Sequence, residues 1–298
     1  MRKNISIACG LGDLFTFLTR LDNFFENNPE YNSIKFWTWL HHPKLAKELV
    51  SLDKHDVEIF SVDQMVDYLE NHIPEEYLES AREHFIKQNF GGVGVDKYLK
   101  FMNTFFPNIE EWIYLPVYNK YRSQYPYKLE NITPKVLNKK HIVVHPFSTT
   151  VKTEKPERTW STKRWGGLLN IIKKYYPDFE IVLIGTSKDK IEGARDFSTN
   201  NFLDLRGKIS LTESIEYIYG ASFVLGINSW STAMSAWAGI PTYSQWFVQH
   251  QLIPTHFPPN YDKMNHIVIE YPKSNGEHPK VEEVWRNVRK AFNAATSV

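Results

Sequence analysis

The feature that most restricts this chain is a repeated alternation. Short runs rich in Ile, Val and Phe ("NISIACG", "SIKFWTWL" and "DVEIFSV", then "HIVVHPF", "FEIVLIG", "NFLDL", "SFVLGIN" and "PTYSQWF") are separated by stretches whose apolar residues recur every three or four positions. Runs of that length and composition read as strands, and the intervening periodicity reads as amphipathic helix. The helix patterns are "DLFTFLTRLDNFFENN", "PKLAKELVSL", "TKRWGGLLNIIKKYY", "LTESIEYIYGA" and "KVEEVWRNVRKAFNAAT". Parallel strands need long crossovers, so strand-helix alternation predicts parallel sheets covered by helices. The alternation occurs twice. The expected fold is therefore α/β, two doubly wound Rossmann-like domains side by side, with a more helical stretch at 63 to 105 decorating the first. A Tyr/Pro/Lys/Asn-rich segment, "YPYKLENITPKVLNKKH", precedes the strand that begins at His141 and marks the seam, giving domains 1–136 and 137–298. Ligands of such sheets bind beyond the C-terminal strand ends, so two facing sheets would place a central cleft between the domains.

Two domains suit 298 residues, of which 42% are hydrophobic, enough for real cores. No apolar stretch approaches the ~18 residues a membrane crossing needs. The start "MRKNISIACGLGDLFTFL" is broken by glycines and Asp13 where a signal peptide needs an apolar run, so a cytoplasmic protein without an integral membrane segment is expected. The single cysteine, Cys9, excludes a disulfide framework and a cysteine zinc site, and its apolar surroundings read as a buried strand. Net charge is +1, but residues 1–136 hold 15 Lys+Arg against 19 Asp+Glu and the remainder 20 against 15. A mildly basic second half suits one or two phosphates of a small ligand, whereas nucleic acid usually demands a strongly basic domain.

Several loops could carry chemistry. The first strand runs into Gly10-Leu11-Gly12-Asp13, where glycines permit close approach of a ligand and Asp13 stands at a helix start, either as a cap or pointing into the cleft. The stretch lacks the third glycine of a dinucleotide fingerprint. After the first strand of the second half, the loop with Ser148, Thr149, Thr150, Lys152, Lys155 and Arg158 leads to Trp160 and Trp165. Hydroxyls, amides and a cation ahead of a helix are what a phosphate needs without a metal. Ser210 and Glu213 form a capping box. In "VLGINSWSTAMSAWAGIPT", Asn228 or Ser229 is the natural N-cap, and Ala233, Ser235, Ala236 and Ala238 permit close packing on the sheet. The 11 histidines show no metal-ligand spacing with a partner Glu, and no Gly-x-Ser-x-Gly or Walker sequence occurs, which speaks against hydrolase and P-loop chemistry.

Taken in order, four segments resemble the heptosyltransferase-type glycosyltransferases of family 9. They are Gly-x-Gly-Asp ending at Asp13, His145-Pro146-x-Ser148 followed by a cation and Trp, "GKISLTE", and a strand-loop-helix unit closing at Gly239-Ile240-Pro241-Thr242. The resemblance implies a GT-B fold with an N-terminal acceptor-binding domain and a C-terminal nucleotide-sugar-binding domain, the last helix being a candidate to pack back on the first. It implies an inverting transferase that needs no metal or other cofactor and uses a nucleotide-diphosphate sugar as donor substrate. By position, Asp13 would be the general base, and Gly12, Ser148, Thr149, Arg158, Gly185, Thr186, Lys208, Asn228, Ser229 and Trp230 would bind the donor. Family members commonly carry an acidic residue, Ser or Thr, then Gly, with a His following. Here Asn228, Ser229, Trp230 and Ala233 stand instead, leaving hexose, pentose and heptose donors open.

The acceptor implied is a lipopolysaccharide or other surface glycan. Two alternatives stand beside it: a phage-type transferase acting on a hydroxymethylated base in DNA, and a non-catalytic relative that binds a nucleotide sugar or glycan. The acidic first half argues against DNA, and the presence of Asp13 argues against a non-catalytic role.

Overall fold

A computed structural model of the chain describes residues 4–8, 11–31, 33–38, 43–55, 57–60, 112–113, 119–147, 160–187, 189, 202–246, 256–271 and 277–296. Internal contacts divide it into two compact units, Met1–Ser123 and Gln124–Val298. Every one of the eight apolar runs contains a strand. The stretch 63 to 105 and Cys9 lie outside the described residues.

The first unit holds β1 (Asn4–Ala8), β2 (Ile34–Thr38), β3 (Val57–Phe60) and a two-residue β4 (Trp112–Ile113), all parallel, in the order β3-β2-β1-β4. The long periodic stretch after β1 is not one helix. It forms α1 (Leu11–Leu18) and α2 (Leu21–Asn27) with a break at Thr19-Arg20. Hydroxyls explain the break: Thr16 Oγ1 donates to the Gly12 carbonyl at 2.8 Å and Thr19 Oγ1 to the Thr16 carbonyl at 2.7 Å. Such local bonds compete with the helical ladder. The Thr19 carbonyl is then taken by the Ser123 amide at 2.9 Å, out of reach of the helix that would have continued. Arg20 is fully buried at this corner, with Nη1 donating to Thr19 Oγ1. α3 (Pro43–Ser51) connects β2 and β3.

The second unit holds β5 (His141–His145), α4 (Thr162–Tyr175), β6 (Glu180–Leu183), β7 (Leu203–Asp204), α5 (Leu211–Gly220), β8 (Phe223–Ile227), α6 (Trp230–Trp237), β9 (Thr242–Gln245), β10 (Ile267–Glu270) and α7 (Val281–Thr296). Its sheet is parallel throughout, ordered β7-β6-β5-β8-β9-β10. The strand succession runs outward from β5 in one direction and resumes from β8 in the other. That reversal is the place where two successive strand-end loops part and leave a crevice.

Strand alternation sorts the two faces. Ile142, Val144, Phe223, Leu225 and Ile227 meet Trp165, Leu168, Leu169 and Ile172 of α4 and Val284, Val288, Ala291 and Phe292 of α7. Trp160 and Trp165 meet edge to face here, with ring centroids 5.2 Å apart. The last helix thus packs on α4 and the sheet of its own unit. The opposite face carries α5 and α6. α5 begins with the expected capping box, Ser210 Oγ accepting from the Glu213 amide at 3.1 Å and the Glu213 carboxylate from the Ser210 amide at 2.8 Å. In α6 every residue from Ser231 to Trp237 is buried.

The connecting segment 124–140 is strapped to the second unit. Tyr127 N–H donates to the Trp237 carbonyl at 2.8 Å, Leu129 N–H to the Tyr219 hydroxyl at 3.0 Å, and Lys135 N–H to the Glu216 carbonyl at 2.9 Å. The strap passes so close to the end of α5 that a Cβ at Gly220 would fall deep inside contact distance of the Lys135 carbonyl oxygen. Gly220→Ala is therefore expected to lift the strap and cost on the order of 1–3 kcal/mol. A melting temperature lowered by several degrees relative to wild type checks this, and an unchanged one contradicts it.

Candidate functional site

The reversal of strand order brings the ends of β5 and β8 side by side, with His145 paired to Gly226 in register. A side chain at Gly226 would stand 2.9 Å from the His145 carbonyl oxygen and 3.0 Å from Thr232 Cγ2. Its absence lets the start of α6 lie directly on the sheet. The residues linking β8 to α6, Asn228 and Ser229, then emerge at the crevice.

Ser229 occupies the N-cap with extended backbone angles (φ −156°, ψ 171°), as the sequence suggests, but its side chain makes no capping bond. Its Oγ lies instead 3.1 Å from His145 Nδ1 and 2.8 Å from Ser231 Oγ, and Ser231 Oγ is itself 2.8 Å from Nδ1. The usual acceptor for first-turn amides has thus been turned into a closed triangle with another hydroxyl and an imidazole. Trp230 is half-buried, its ring centroid 5.9 Å from that of His145 at an interplanar angle of 55°. Asn228 is exposed, and its amide continues the sheet by donating to the Gln245 carbonyl at 2.8 Å.

Beneath the triangle lies a layer of buried hydroxyls that satisfies itself. Trp246 Nε1 donates to Ser244 Oγ at 3.0 Å, Ser244 Oγ to Thr232 Oγ1 at 3.0 Å, and Thr232 Oγ1 reaches the carbonyls of Ile227 and Ser229, each at 3.1 Å. Ser235 and Thr242 pair at 2.8 Å. Small hydroxyl residues permit close helix-sheet packing, and full pairing keeps the polar layer from being destabilising.

Burial drives the His145 imidazole down from its ordinary 6.5 to about 4, with the Asp189 carboxylate pulling the other way. Near neutrality the ring is therefore uncharged. Asp189 belongs to a second cluster, at the ends of β6 and β7. Its Oδ2 accepts from Thr186 N–H at 2.6 Å and Thr186 Oγ1 at 2.9 Å, and Gly185 (φ 144°) lies so close that a Cβ there would be 2.8 Å from that oxygen. Arg206, 1% exposed, spans the cluster, donating to the Asp189 carbonyl at 3.0 Å and gripping both Asp204 carboxylate oxygens at 3.0 and 2.9 Å. Burial works to raise the Asp204 carboxyl, yet the Arg206 grip holds it below the ordinary range. Lys208 is exposed with Nζ donating to the Asp204 carbonyl at 2.6 Å.

Of the residues singled out in the sequence, Asn228, Ser229 and Trp230 stand together at the start of α6, and Gly185, Thr186 and Lys208 stand together at the ends of β6 and β7. Gly12 and half-buried Asp13 belong to the first turn of α1 in the first unit. Ser148, Thr149 and Arg158 lie outside the described residues. Among the described residues no group of three or more His, Cys, Asp or Glu could hold a metal ion. Sequence reasoning gave no site role to His145, which it quoted only within the His-Pro-x-Ser segment, nor to Ser231, Asp189 and Arg206. A histidine ending an otherwise apolar strand just before a proline is a signal that could have flagged His145, and a second hydroxyl two residues beyond Ser229 could have flagged Ser231.

The depressed His145 has a consequence for stability. Between pH 6.5 and about 4 the unfolded chain holds the proton that the folded imidazole refuses, so stability falls as pH drops through that window and is fully present above it. The shift corresponds to about 3 kcal/mol. Urea unfolding across this range is expected to show a steeper pH dependence for wild type than for His145→Asn. His141 and His266, also pushed down by burial, remain in both proteins and drop out of the difference.

No family model matches the chain, and no curated protein matches it. Solved structures do. The ADP-heptose lipopolysaccharide heptosyltransferase II of E. coli aligns over 98% of this chain and 99% of its own, at 12% identity and TM-score 0.62. A glycosyl transferase of family 9 from Veillonella parvula aligns over 100% and 98%, at 10% identity and TM-score 0.64. E. coli heptosyltransferase WaaC with ADP aligns over 98% and 99%, at 12% identity and TM-score 0.58. The alignment covers both units in each case, and the likeness is one of fold: the chain has the architecture of the heptosyltransferase-like, family 9 glycosyltransferases.

Proposed function

We propose that this protein is an inverting, metal-independent glycosyltransferase of the GT-B type, moving a sugar from a nucleotide-diphosphate sugar to an acceptor hydroxyl of a surface glycan such as lipopolysaccharide. The observation that carries the reading is the start of α6, where Asn228, Ser229 and Trp230 stand together at the point where the strand order of the second sheet reverses. The reversal of a doubly wound sheet is where such folds take nucleotides. A helix start lined with hydroxyls suits a diphosphate, because backbone N–H groups and the helix dipole both favour negative charge. The shared fold with an ADP-heptose transferase and with a heptosyltransferase that carries ADP supports a nucleotide diphosphate as the leaving group.

In this reading the first unit binds the acceptor and the second the nucleotide sugar. The nucleoside lies over Gly185, Thr186 and Lys208, and the diphosphate lies among Asn228, Ser229, Trp230, Ser148, Thr149 and Arg158. The acceptor oxygen attacks the anomeric carbon from the side opposite the diphosphate, so a carbon-oxygen bond forms as the bond to the leaving phosphate breaks and the centre inverts. Asp13 takes the acceptor proton, since an alcohol is a poor nucleophile until that proton leaves. Negative charge grows on the departing diphosphate, and fixed donors at that position lower the barrier in place of a metal ion. Trp230, half-buried, offers a face for stacking.

Two measurements test this reading. In a thermal-shift screen of nucleotide sugars, one donor should raise the melting temperature by several degrees at saturating concentration, since a ligand at 100 times its Kd stabilises by about 2.7 kcal/mol. Asp13→Asn should then lower turnover of that donor by about 10²–10⁴-fold while leaving its Kd close to wild type. Unchanged turnover would remove Asp13 from the mechanism, and loss of turnover on adding EDTA would contradict metal independence.

A further inference from the structure

We propose that the face of the second unit formed by the end of α4 and the outer side of α7 docks on an anionic lipid bilayer. This face lies on the opposite side of the sheet from α6, and the inference does not depend on the donor site. α7 is two-sided. Val284, Val288, Ala291 and Phe292 are buried in the core, while Arg286, Arg289, Lys290 and Asn293 recur at helical spacing on the exposed side. Beside it, α4 carries Lys163, Arg164, Lys173 and Lys174 and no acidic residue. The acidic residues of α7, Glu282 and Glu283, are confined to its first turn, where the Glu283 carboxylate accepts from Lys280 N–H at 2.7 Å. Exposed Asp178 follows the end of α4. The whole chain is only +1, so this gathering of cations is local.

Aromatic rings lie among the cations. Tyr175, the last residue of α4, is 55% exposed. Its ring centroid is 5.1 Å from that of half-buried Trp285, and the Arg289 guanidinium carbon stands 6.0 Å from the Tyr175 ring centre. Tyr176 closes the inner edge of this seam, its hydroxyl donating to Asn293 Oδ1 at 3.2 Å and its ring centroid 4.3 Å from that of Phe292. Tyr and Trp flanked by Arg and Lys suit the boundary where headgroups meet acyl chains, because the rings accept partly apolar surroundings while the long cationic side chains reach the phosphates. Anionic lipid supplies the complementary charge. Nucleic acid would match the charge too, but it needs ring faces open to receive bases, and here the rings lean on one another and on Arg289. No helix among the described residues is long and apolar enough to span a bilayer, so the attachment is to its surface.

Vesicle sedimentation of the full chain tests this. Wild type should bind vesicles of equal parts phosphatidylcholine and phosphatidylglycerol, bind phosphatidylcholine alone far less, and be released as salt is raised. A triple variant, Arg286→Gln with Arg289→Gln and Lys290→Gln, should weaken the binding by about tenfold or more, and Tyr175→Ser by about threefold. No binding to the anionic vesicles, equal binding to the neutral ones, or unchanged binding in the triple variant overturns the inference. Tighter binding of a single-stranded oligonucleotide, lost in the same variant, overturns it in favour of nucleic acid, and a dimer that the variant disperses overturns it in favour of a second copy. Should the triple variant fail to fold, lysine acetylation of wild type decides. Vesicles should shield Lys174 and Lys290 several-fold and leave Lys135, bonded to α5 on the opposite face, as reactive as before; equal shielding of all three, or of none, overturns the inference. Donor binding in the thermal-shift screen should be the same in wild type and the triple variant, which keeps the outcome separate from that of the proposed reaction.

Discussion

The second unit is organised around one close approach, that of α6 to the paired ends of β5 and β8. Gly226 makes it possible, because a side chain there would strike the His145 carbonyl and Thr232. Once the helix lies that near the sheet, only small residues fit between them, and the chain supplies Ser231, Thr232 and Ser235 against Thr242 and Ser244. Their hydroxyls are buried and must find partners; they find one another, the carbonyls of Ile227, Ser229, Thr232 and Ile240, the Trp246 indole and, for Ser231, His145 and Ser229. The same tight packing carries Ser229 and Ser231 up against His145 and sets the polar triangle at the crevice.

The neighbouring cluster at β6 and β7 obeys the same logic on a smaller scale. Gly185 and Gly207 hold positive φ angles of 144° and 67°, and their lack of a side chain spares the loops a clash with Asp189 and Ser187. Arg206 then fills the space between those loops, its buried charge balanced by Asp204. Rigid loops on either side of a strand-order reversal are the setting a preorganised ligand site requires, because its groups need no rearrangement when the ligand arrives.

Much of the fold was legible in the sequence. The alternation of apolar runs and helical periodicity located eight strands, and Ser210 with Glu213 announced the start of α5, because both are local patterns. Three features ran against local reading. The helix after β1 is broken at Thr19-Arg20 by hydroxyl bonds to its own carbonyls and by Ser123, about a hundred residues away in sequence. β4 is two residues long, too short to show a period, and β10 closes the edge of the second sheet without having stood out as a run. Within the candidate site, Ser229 was visible as a cap and Trp230 as an aromatic, but His145, though it opens the His145-Pro146-x-Ser148 segment, was given no role, because only the pairing of β5 with β8 sets it against Ser229 and Ser231.

The sequence by itself determined the α/β class, the doubling of the pattern and the position of the small-residue helix at 230–237, since these depend on periodicity and on residue size. Only the tertiary structure decided what the start of that helix does. Side-chain chemistry there depends on which atoms meet, and His145 meets Ser229 and Ser231 across 84 and 86 residues of chain. Those contacts turn a helix cap into a pair of hydroxyls held by an imidazole. The pairing of β5 with β8, which no local stretch encodes, brings them together.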